Sequence, residues 1–392
     1  MTQASASVTP SSLSGQAPPP ASQQAPEPVP APVLTRDVVI IGAGQAGLSA
    51  AHFLRSHGLV AGHDLEVLDA NPTPGGAWSH RWDALTFDDA HGIHDLPGAP
   101  LGDPDPREPA REVVKRYFGA YEAGEQLSVQ RPWRVTSVER DGAGYAVSAA
   151  GPGGARRRYL AGSVINGTGT WDRPFIPHTA GRFGGRQLTT RDFTDPEAFA
   201  GRRVLVVGGG TSAVQFVLLL EAHGVETVWS TRTPPRWTPL AFDADWGRAV
   251  EQRVSARTRG GLPPLSVVAA TGLPLIPRYV AGIERGVLVS RGPLARLTPG
   301  GVDFADGGHE DVDVILWATG FRASLGHLAP LALRAAGGGV EMADDDVSVV
   351  GAPGLFLVGY GPSASTIGAT RAGRRAARGA LARVAALRGA AS

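Results

Sequence analysis

The sequence predicts an α/β fold with two Rossmann-type dinucleotide-binding domains, because one local pattern occurs twice in it. An apolar, β-branched run leads into a glycine-rich turn and then into a segment of helical character, at 37–54 and again at 203–220. At 392 residues the chain also exceeds the size that a single hydrophobic core usually supports. With 53 glycines in the sequence, each turn still needs support from its surroundings.

The composition excludes several classes of function. With 37 basic and 36 acidic residues, the formal net charge of +1 gives no general attraction to nucleic acid or to anionic membranes. The sequence contains no cysteine, which excludes disulfides, iron–sulfur clusters and a redox-active dithiol. No metal site is expected either.

The first 35 residues are predicted to form a disordered tail rich in proline, alanine and serine. Residues 1–35 carry one charged side chain, Glu27, and almost no large apolar ones, so they cannot bury enough surface to offset their ordering entropy. They lack the basic and apolar regions of a secretory signal, and no later run reaches the roughly 18 apolar residues of a membrane-spanning helix. We therefore expect a cytoplasmic protein that binds no membrane.

The first glycine-rich turn has the spacing G-x-G-x-x-G. Gly42 permits the tight turn, Gly44 lets the backbone approach a pyrophosphate, and Gly47 lets the helix pack against the strand. Gln45 and Ala46 begin that helix, whose free N–H groups and positive end hold phosphates. The turn therefore predicts a dinucleotide site.

Two later segments support this site. A second apolar strand at 65–68 ends at Asp69, where an acid accepts hydrogen bonds from ribose hydroxyls. Residues 74–78 read P-G-G-A-W, in which Gly76 lets the backbone pass close to a flat ligand and Trp78 offers a face for stacking. A turn anchored by core tryptophans is the alternative interpretation of that segment.

The order of these motifs resembles the FAD-binding half of flavin-containing monooxygenases and their bacterial relatives, the class B flavoprotein monooxygenases. In that family the Gly-Gly-x-Trp segment runs beside the flavin, so the resemblance assigns Gly76, Trp78 and Arg81 to FAD. Family members often place an asparagine near flavin N5 after this segment. The corresponding position is Asp88, which makes it the candidate catalytic residue.

The second glycine-rich turn fits G-x-G-x-x-A. Gly208 and Gly210 take the glycine positions, and Thr211 and Ser212 begin the helix that follows. The next strand is not followed by an acid but by Arg232, 19 residues after Ala213.

Arg232 bears on the choice of nicotinamide cofactor. A carboxylate at this place would repel a 2′-phosphate, whereas a guanidinium binds it with two hydrogen bonds, so the sequence favours NADPH over NADH. Two alternatives are that Arg232 is a solvated loop residue and that Arg236 binds the phosphate.

Between the two turns, residues 183–193 resemble the Phe-x-Gly-x-x-x-His-x-x-x-Phe/Tyr signature of class B monooxygenases. Phe183, Gly185 and Phe193 match, but Thr189 takes the place of the histidine. In the family this segment affects how bound NADP stabilises the oxygenated flavin. The substitution therefore weakens the prediction of efficient monooxygenation.

Two further segments complete the resemblance. An Ala-Thr-Gly turn ending at Gly320 resembles the return crossing to the FAD domain, and the turn at Gly359 resembles the last FAD contact. Many FAD oxidoreductases have Gly-Asp at the latter place. Here Tyr360 follows the glycine, so backbone N–H groups or Ser365 and Thr366 must substitute.

The resemblance covers residues 36–380 and implies that the NADP domain is inserted into the FAD domain. The predicted boundaries are 36–172 and 319–392 for the FAD domain and 173–318 for the NADP domain. Residues 234–300, which include Trp237, Phe242 and Trp246, are expected to form irregular apolar structure near a pocket or a domain interface.

The family implies an FAD- and NADPH-dependent monooxygenase. Such an enzyme uses molecular oxygen and a flavin hydroperoxide to oxygenate a small nucleophilic nitrogen or sulfur compound or a ketone. One alternative is an NADPH-dependent two-dinucleotide reductase or dehydrogenase without a redox dithiol, and another is a flavin-binding protein with little turnover. The sequence fixes neither the substrate nor the oligomeric state, for which a homodimer is one alternative.

Overall fold

The structure is a computed structural model that describes Met1 and residues 31–90, 93–239, 244–265 and 271–391, with backbone alone at 244–251, 366–367 and 391. The contacts divide the chain into Met1–Ala31 and Pro32–Ser392. The second unit holds all the helices and strands of the described residues.

The secondary structure alternates strands and helices in the manner of an α/β protein. The strands are β1 (Val33–Ile41), β2 (Leu65–Leu68), β3 (Arg134–Asp141), β4 (Gly144–Ala150), β5 (Arg156–Asn166), β6 (Ala180–Gly181), β7 (Arg186–Thr189), β8 (Arg203–Val207), β9 (Glu226–Ser230), β10 (Trp237–Thr238), β11 (Leu273–Pro274), β12 (Leu294–Leu297), β13 (Gly301–Phe304), β14 (His309–Asp311), β15 (Val314–Trp317) and β16 (Leu355–Leu357). The helices are α1 (Gln45–Ser56), α2 (Ala110–Gly124), α3 (Thr211–Ala222), α4 (Ala244–Arg259), α5 (Pro277–Glu284) and α6 (Thr366–Ala391).

The first sheet has the strand order β2-β1-β5-β4-β3, and β16 pairs with β5 outside this path. β5 is long enough to pair with two strands besides β1, since residues 156–161 pair antiparallel with β4 while residues 164–166 pair parallel with β16. β1 runs parallel to both β2 and β5, so that Ile41 lies opposite Leu68 and Asn166. The carboxyl ends of three strands therefore meet at one edge of the sheet.

Successive side chains of β1 point to opposite faces of this sheet, and each face is covered by its own core. Val38 and Ile40 point into a core formed with α1, α2 and α6, whereas Val39 and Ile41 point into a core formed with β3, β4 and the 325–360 segment. Helix α6 lies very close to α1, because a Cβ added at Gly373 would come within 2.7 Å of the backbone nitrogen of Ala50. The apolar side of α6 is thus packed inside the protein. None of the helices in the described part of the chain is long and apolar enough to cross a membrane.

The second sheet is entirely parallel, in the order β7-β15-β8-β9. Trp317 lies opposite both Thr189 and Val207, and Val207 lies opposite Ser230, so the carboxyl ends of these four strands also meet at one edge. A smaller sheet, β14-β13-β12-β6, packs on it through a cluster that includes Phe304 and Trp317. The parallel strands of the two sheets, one mixed and one entirely parallel, confirm the predicted fold class.

Two expectations about local structure were wrong. β1 begins at Val33, inside the predicted 1–35 tail, because residues 33–35 pair with residues 158–160 of β5. The 234–300 segment contains two regular helices, α4 and α5, although irregular structure was expected there. The pattern was missed because α4 is rich in arginine and its buried positions include the small polar Ser255 and Thr258. Phe242 and the side chain of Trp246 lie outside the described residues.

Candidate functional site

The first glycine-rich turn connects β1 to α1 and shows why each glycine is present. Gly42 has φ +97°, and a Cβ there would lie 2.6 Å from the carbonyl oxygen of Gly167. A Cβ at Gly47 would lie 1.9 Å from the carbonyl oxygen of Gly42. Gly44 differs, because a Cβ there would have no described atom within 4 Å. The fold needs glycine at 42 and 47, whereas the open side of Gly44 leaves room for a ligand.

The start of α1 fits the pyrophosphate of FAD. No side chain caps this helix, so the backbone N–H groups of its first turn face the space beside Gly44. The side-chain amide of Gln45 instead donates to the carbonyl oxygens of His94 and Asp95 and to Oγ1 of Thr370. Gln45 thereby ties the beginning of α1 to the 94–95 loop and to α6.

Asp69 lies at the end of β2, as predicted, and it is buried. Its Oδ2 accepts a hydrogen bond of 2.6 Å from the backbone nitrogen of Ala43, and its Oδ1 accepts one of 2.7 Å from that of Asn71. The carboxylate therefore holds the glycine-rich turn in place. Sequence reasoning assigned Asp69 to a ribose and missed this second role.

The Gly-Gly-x-Trp segment passes directly beside the first turn. Gly76 has φ +54° and opens a 3-10 helix, and a Cβ there would lie 3.0 Å from the Cα of Gly44. Trp78 is half-buried and packs against a core of each of the two large sheets. The structure thus brings together two motifs that the sequence suggested separately.

Arg81 lies among three indole rings. Its guanidinium carbon is 4.7 Å from the ring centroid of Trp171, 5.7 Å from that of Trp78 and 5.9 Å from that of Trp82. Burial lowers the pKa of Arg81 to about 10, so the side chain remains charged at neutral pH. Its Nε is buried without a hydrogen-bond partner among the described residues.

The second glycine-rich turn repeats the geometry of the first. Gly208 has φ +149°, and a Cβ there would lie 2.2 Å from the carbonyl oxygen of Ala318, whereas a Cβ at Gly210 would have no described atom within 4 Å. Helix α3 begins at Thr211 and Ser212 without a side-chain cap. This turn also leaves an open side and free N–H groups for a phosphate.

The end of β9 carries the residues expected to select the nicotinamide cofactor. Thr231 is buried, and its Oγ1 forms a hydrogen bond of 2.6 Å with Oγ of Ser290. Arg232 is exposed and makes no hydrogen bond or ion pair within the described part of the chain. Arg236 is also exposed. The assignment of Arg232 to a 2′-phosphate remains a prediction.

Asp88 is exposed, and its backbone nitrogen donates to the carbonyl oxygen of Pro106 at 3.0 Å. The neighbouring Asp89 contacts helices α5 and α3, because its carboxylate pairs with Arg278 and its carbonyl oxygen accepts from Nε2 of Gln215 at 3.0 Å. The role of Asp88 near a flavin remains a prediction, and the contacts of Asp89 were not foreseen.

Thr189, at the signature histidine position, has a structural role. It is buried at the end of β7, and its Oγ1 and backbone nitrogen both donate to Oδ2 of Asp192, at 2.7 and 2.8 Å. The two residues form a capping box on the 3-10 helix Thr190–Asp192. The side chain is therefore fully engaged within its own turn.

The two segments that connect the sheets, one after β5 and one after β15, run side by side; we call them the crossings. Pro174 and Phe321 form an isolated antiparallel bridge, and the rings of Trp171 and Phe321 stack with centroids 5.1 Å apart. Gly320, with φ +82°, supplies the turn between β15 and this bridge. Both crossings thus lie at the carboxyl ends of the parallel strands, where ligands bind in open α/β sheets.

The last loop returns to the first glycine-rich turn. Gly359 has φ +73°, and a Cβ there would lie 3.8 Å from that of Ala46. Ser365 accepts a hydrogen bond from the backbone nitrogen of Gly368 at 3.1 Å, so its hydroxyl caps the start of α6. Thr366 begins α6, and its side chain lies outside the described part. The assignment of this loop to FAD remains a prediction.

His327 is a titratable group beside the first turn that sequence reasoning missed. Its Nε2 donates to Oδ1 of Asn166, the last residue of β5, at 2.7 Å. Burial, with a smaller contribution from the charge of Arg134, lowers the pKa of His327 to about 4. The folded protein therefore holds this imidazole neutral.

His327 should make the stability of the protein depend on pH. Since an unfolded histidine has a pKa near 6.5, the stabilisation is fully present above that pH and is lost as the pH falls toward 4. The difference between the unfolded and folded pKa values of His327 corresponds to at most about 3 kcal/mol of unfolding free energy. Urea unfolding at pH 7 and pH 4.5 should show a smaller loss in His327→Gln than in the wild type. An equal loss in both would contradict the prediction, and His63→Gln, at an exposed histidine, is the control.

Each of the two sheets has parallel strands that lead into an open-sided glycine turn, and two connecting segments join the sheets. This arrangement defines the class of protein as a two-dinucleotide-binding oxidoreductase. Residues 39–255 match the family described as pyridine nucleotide-disulphide oxidoreductase, and the chain belongs to that family. Within it, the chain is a member of the class B flavoprotein monooxygenases, as the sequence predicted. It is thus a flavin-dependent oxidoreductase, although without cysteine it has no dithiol to serve disulfide chemistry.

Three known proteins illustrate the likeness. The structure of a flavin-containing monooxygenase from Stenotrophomonas maltophilia matches with a TM-score of 0.74 and 35% identity, over 89% of this chain and 99% of that one. Indole-3-pyruvate monooxygenase YUCCA1 of Oryza sativa subsp. japonica is 26% identical over 82% of this chain and 86% of that enzyme. Bacillithiol disulfide reductase Bdr from Bacillus cereus, at 18% identity and a TM-score of 0.68, shares the fold.

These relationships imply the use of a flavin and a nicotinamide cofactor, with a small-molecule substrate and oxygen. Among the residues that the structure describes, no group of three or more histidine or acidic side chains could hold a metal ion.

Proposed function

We propose that this protein is an FAD- and NADPH-dependent monooxygenase. It would oxygenate a small nucleophilic nitrogen or sulfur compound, or a ketone, through a flavin hydroperoxide. The observation that carries the proposal is the meeting of both glycine turns, both crossings and the Gly76–Trp78 segment at the carboxyl ends of the two sheets. Family membership and the name of the 35% identical relative support monooxygenation in particular.

Bound FAD would supply the hydride acceptor and the oxygen-activating centre. The chain's own residues would bind and orient the two cofactors. The open side of Gly44 and the uncapped start of α1 would hold the FAD pyrophosphate, and the corresponding features at Gly210 and α3 would hold that of NADPH. Arg232 would bind the 2′-phosphate.

The site also has a means of excluding water. Trp82 and Trp171 are buried, and the rings of Trp171 and Phe321 stack between the two crossings. Such apolar walls protect a reactive oxygenated cofactor from hydrolysis and strengthen nearby electrostatic interactions.

The second candidate function is an NADPH-dependent reductase or dehydrogenase that passes electrons to another acceptor. Thr189 favours it, because the family's histidine is absent and Thr189 is committed to its contact with Asp192. The likeness to bacillithiol disulfide reductase concerns the fold alone, and the absence of cysteine excludes a dithiol mechanism.

A stopped-flow experiment separates the two functions. FAD-loaded protein is reduced anaerobically with NADPH, mixed with oxygen, and followed by absorbance. A monooxygenase should show an oxygenated flavin that persists while NADP is bound. Immediate return to oxidised flavin, with one hydrogen peroxide released per NADPH consumed, would contradict the proposal and favour the reductase.

A further inference from the structure

Arg81 is a half-buried cation without a counter-ion among the described residues, and it lies where the two large sheets meet. Arg81 is enclosed by the indoles of Trp78, Trp82 and Trp171, and within the described part of the chain no carboxylate or other acceptor reaches its guanidinium. The side chain of Arg131, by contrast, is largely buried and paired with Glu122. A cation whose Nε is buried without an acceptor loses hydration that no protein group replaces, which points to an anion absent from the polypeptide.

A second buried hydrogen-bond donor without an acceptor among the described residues lies beside Arg81. The indole Nε1 of Trp171 is buried and has no acceptor among the described residues. Its ring is the one nearest to the Arg81 guanidinium, at 4.7 Å. Two unsatisfied donors, one of them charged, thus belong to side chains in contact. Both would be satisfied by one anionic group with two oxygen acceptors.

These donors lie on segments other than the two glycine-rich turns. Trp171 follows β5 and stacks on Phe321, which follows β15. Trp82, next to Arg81, packs against Phe216 of α3 with ring centroids 4.6 Å apart. The donors therefore lie near the carboxyl ends of the parallel strands of both sheets, where a substrate would meet both cofactors.

We propose that Arg81 and the indole N–H of Trp171 bind the carboxylate of a small apolar substrate. The proposal rests on the proposed monooxygenase function and specifies its substrate class. It replaces the assignment of Arg81 to FAD that the resemblance implies. The guanidinium would form the charge-assisted hydrogen bond and the indole the second, while the neighbouring aromatic rings would contact the apolar body. These residues determine specificity and take no part in the oxygen transfer.

Acceptor atoms of the flavin ring could also receive hydrogen bonds from these two donors. The test must therefore distinguish a substrate carboxylate from the flavin. Calorimetric titration of FAD-loaded protein with phenylacetate and with its neutral isostere phenylacetamide measures the preference for the anion. We expect phenylacetate to bind about ten- to a hundredfold more tightly. Equal affinities, or no saturable binding of phenylacetate, would overturn the proposal.

Variants identify the residues involved. Arg81→Leu should abolish the preference for phenylacetate over phenylacetamide, and Arg81→Lys should retain part of it. Trp171→Phe keeps an aromatic ring in place and should weaken phenylacetate binding severalfold. Arg157→Leu is the matched control, because Arg157 lies over Trp133 at 4.1 Å near the opposite end of β5. It should leave the preference unchanged.

The FAD content and the flavin reduction potential of each variant complete the test. If Arg81→Leu changes either of these but keeps the preference for phenylacetate, the anion belongs to the cofactor and the proposal is wrong. Failure of the wild type to bind FAD would instead contradict the proposed function. The two failures are therefore distinguishable.

Discussion

A Gly44→Val variant is expected to fold normally and to contain no FAD. The backbone at Gly44 has φ −85° and ψ −175°, which any residue adopts, and a Cβ there meets no described atom within 4 Å. The added side chain would therefore fill only the space left for the pyrophosphate. FAD content is measured from the absorbance of the purified protein, and folding from circular dichroism and thermal unfolding.

Gly47→Ala is the matched control on the same turn. A Cβ at Gly47 would lie 1.9 Å from the carbonyl oxygen of Gly42, so this smaller substitution should destabilise the fold itself. A folded Gly44→Val protein with a normal FAD content would show that the pyrophosphate binds elsewhere.

Arg232→Ala is expected to raise the KM for NADPH by about ten- to a hundredfold and to leave the KM for NADH nearly unchanged. A charge-assisted hydrogen bond to the 2′-phosphate contributes about 1.5–3 kcal/mol, and each ~1.4 kcal/mol corresponds to a factor of ten. Because Arg232 has no partner within the described part of the chain, the substitution should not disturb the folded protein. Steady-state kinetics with both cofactors measures the effect.

Two further variants make this result interpretable. Arg202→Ala removes an exposed arginine just before β8, at the opposite end of the sheet. It should change neither the KM for NADPH nor that for NADH. Arg236 lies four residues beyond Arg232 and could share the phosphate, so the double variant Arg232→Ala, Arg236→Ala is measured as well. A double variant that still prefers NADPH, or a wild type that uses both cofactors equally, would place the 2′-phosphate elsewhere.

The two dinucleotide turns illustrate what sequence can predict. A strand, a tight turn and an uncapped helix are set by neighbouring residues, and Gly42, Gly47 and Gly208 occupy positions where a Cβ would collide with backbone. Parallel strands then bring both turns to the carboxyl edges of their sheets. The fold class therefore follows from local pattern and from one rule of topology.

Helices α4 and α5 illustrate where sequence reasoning failed. In α4 the fully buried Thr258 and the buried Ser255 occupy positions that a hydrophobic pattern cannot reveal. Tertiary packing, rather than apolar periodicity, identifies the inner side of that helix.

By itself, the sequence determined the two Rossmann-type turns, the absence of an acid after β9 and the exclusion of cysteine chemistry. The tertiary structure alone decided that Asp69 holds the backbone of Ala43, that Asp89 pairs with Arg278, and that Arg81 lies against Trp171. The physical reason is distance along the chain. A turn's requirements are met by adjacent residues, whereas Arg81 and Trp171 are 90 positions apart and meet only because the packing of the two sheets brings their segments together.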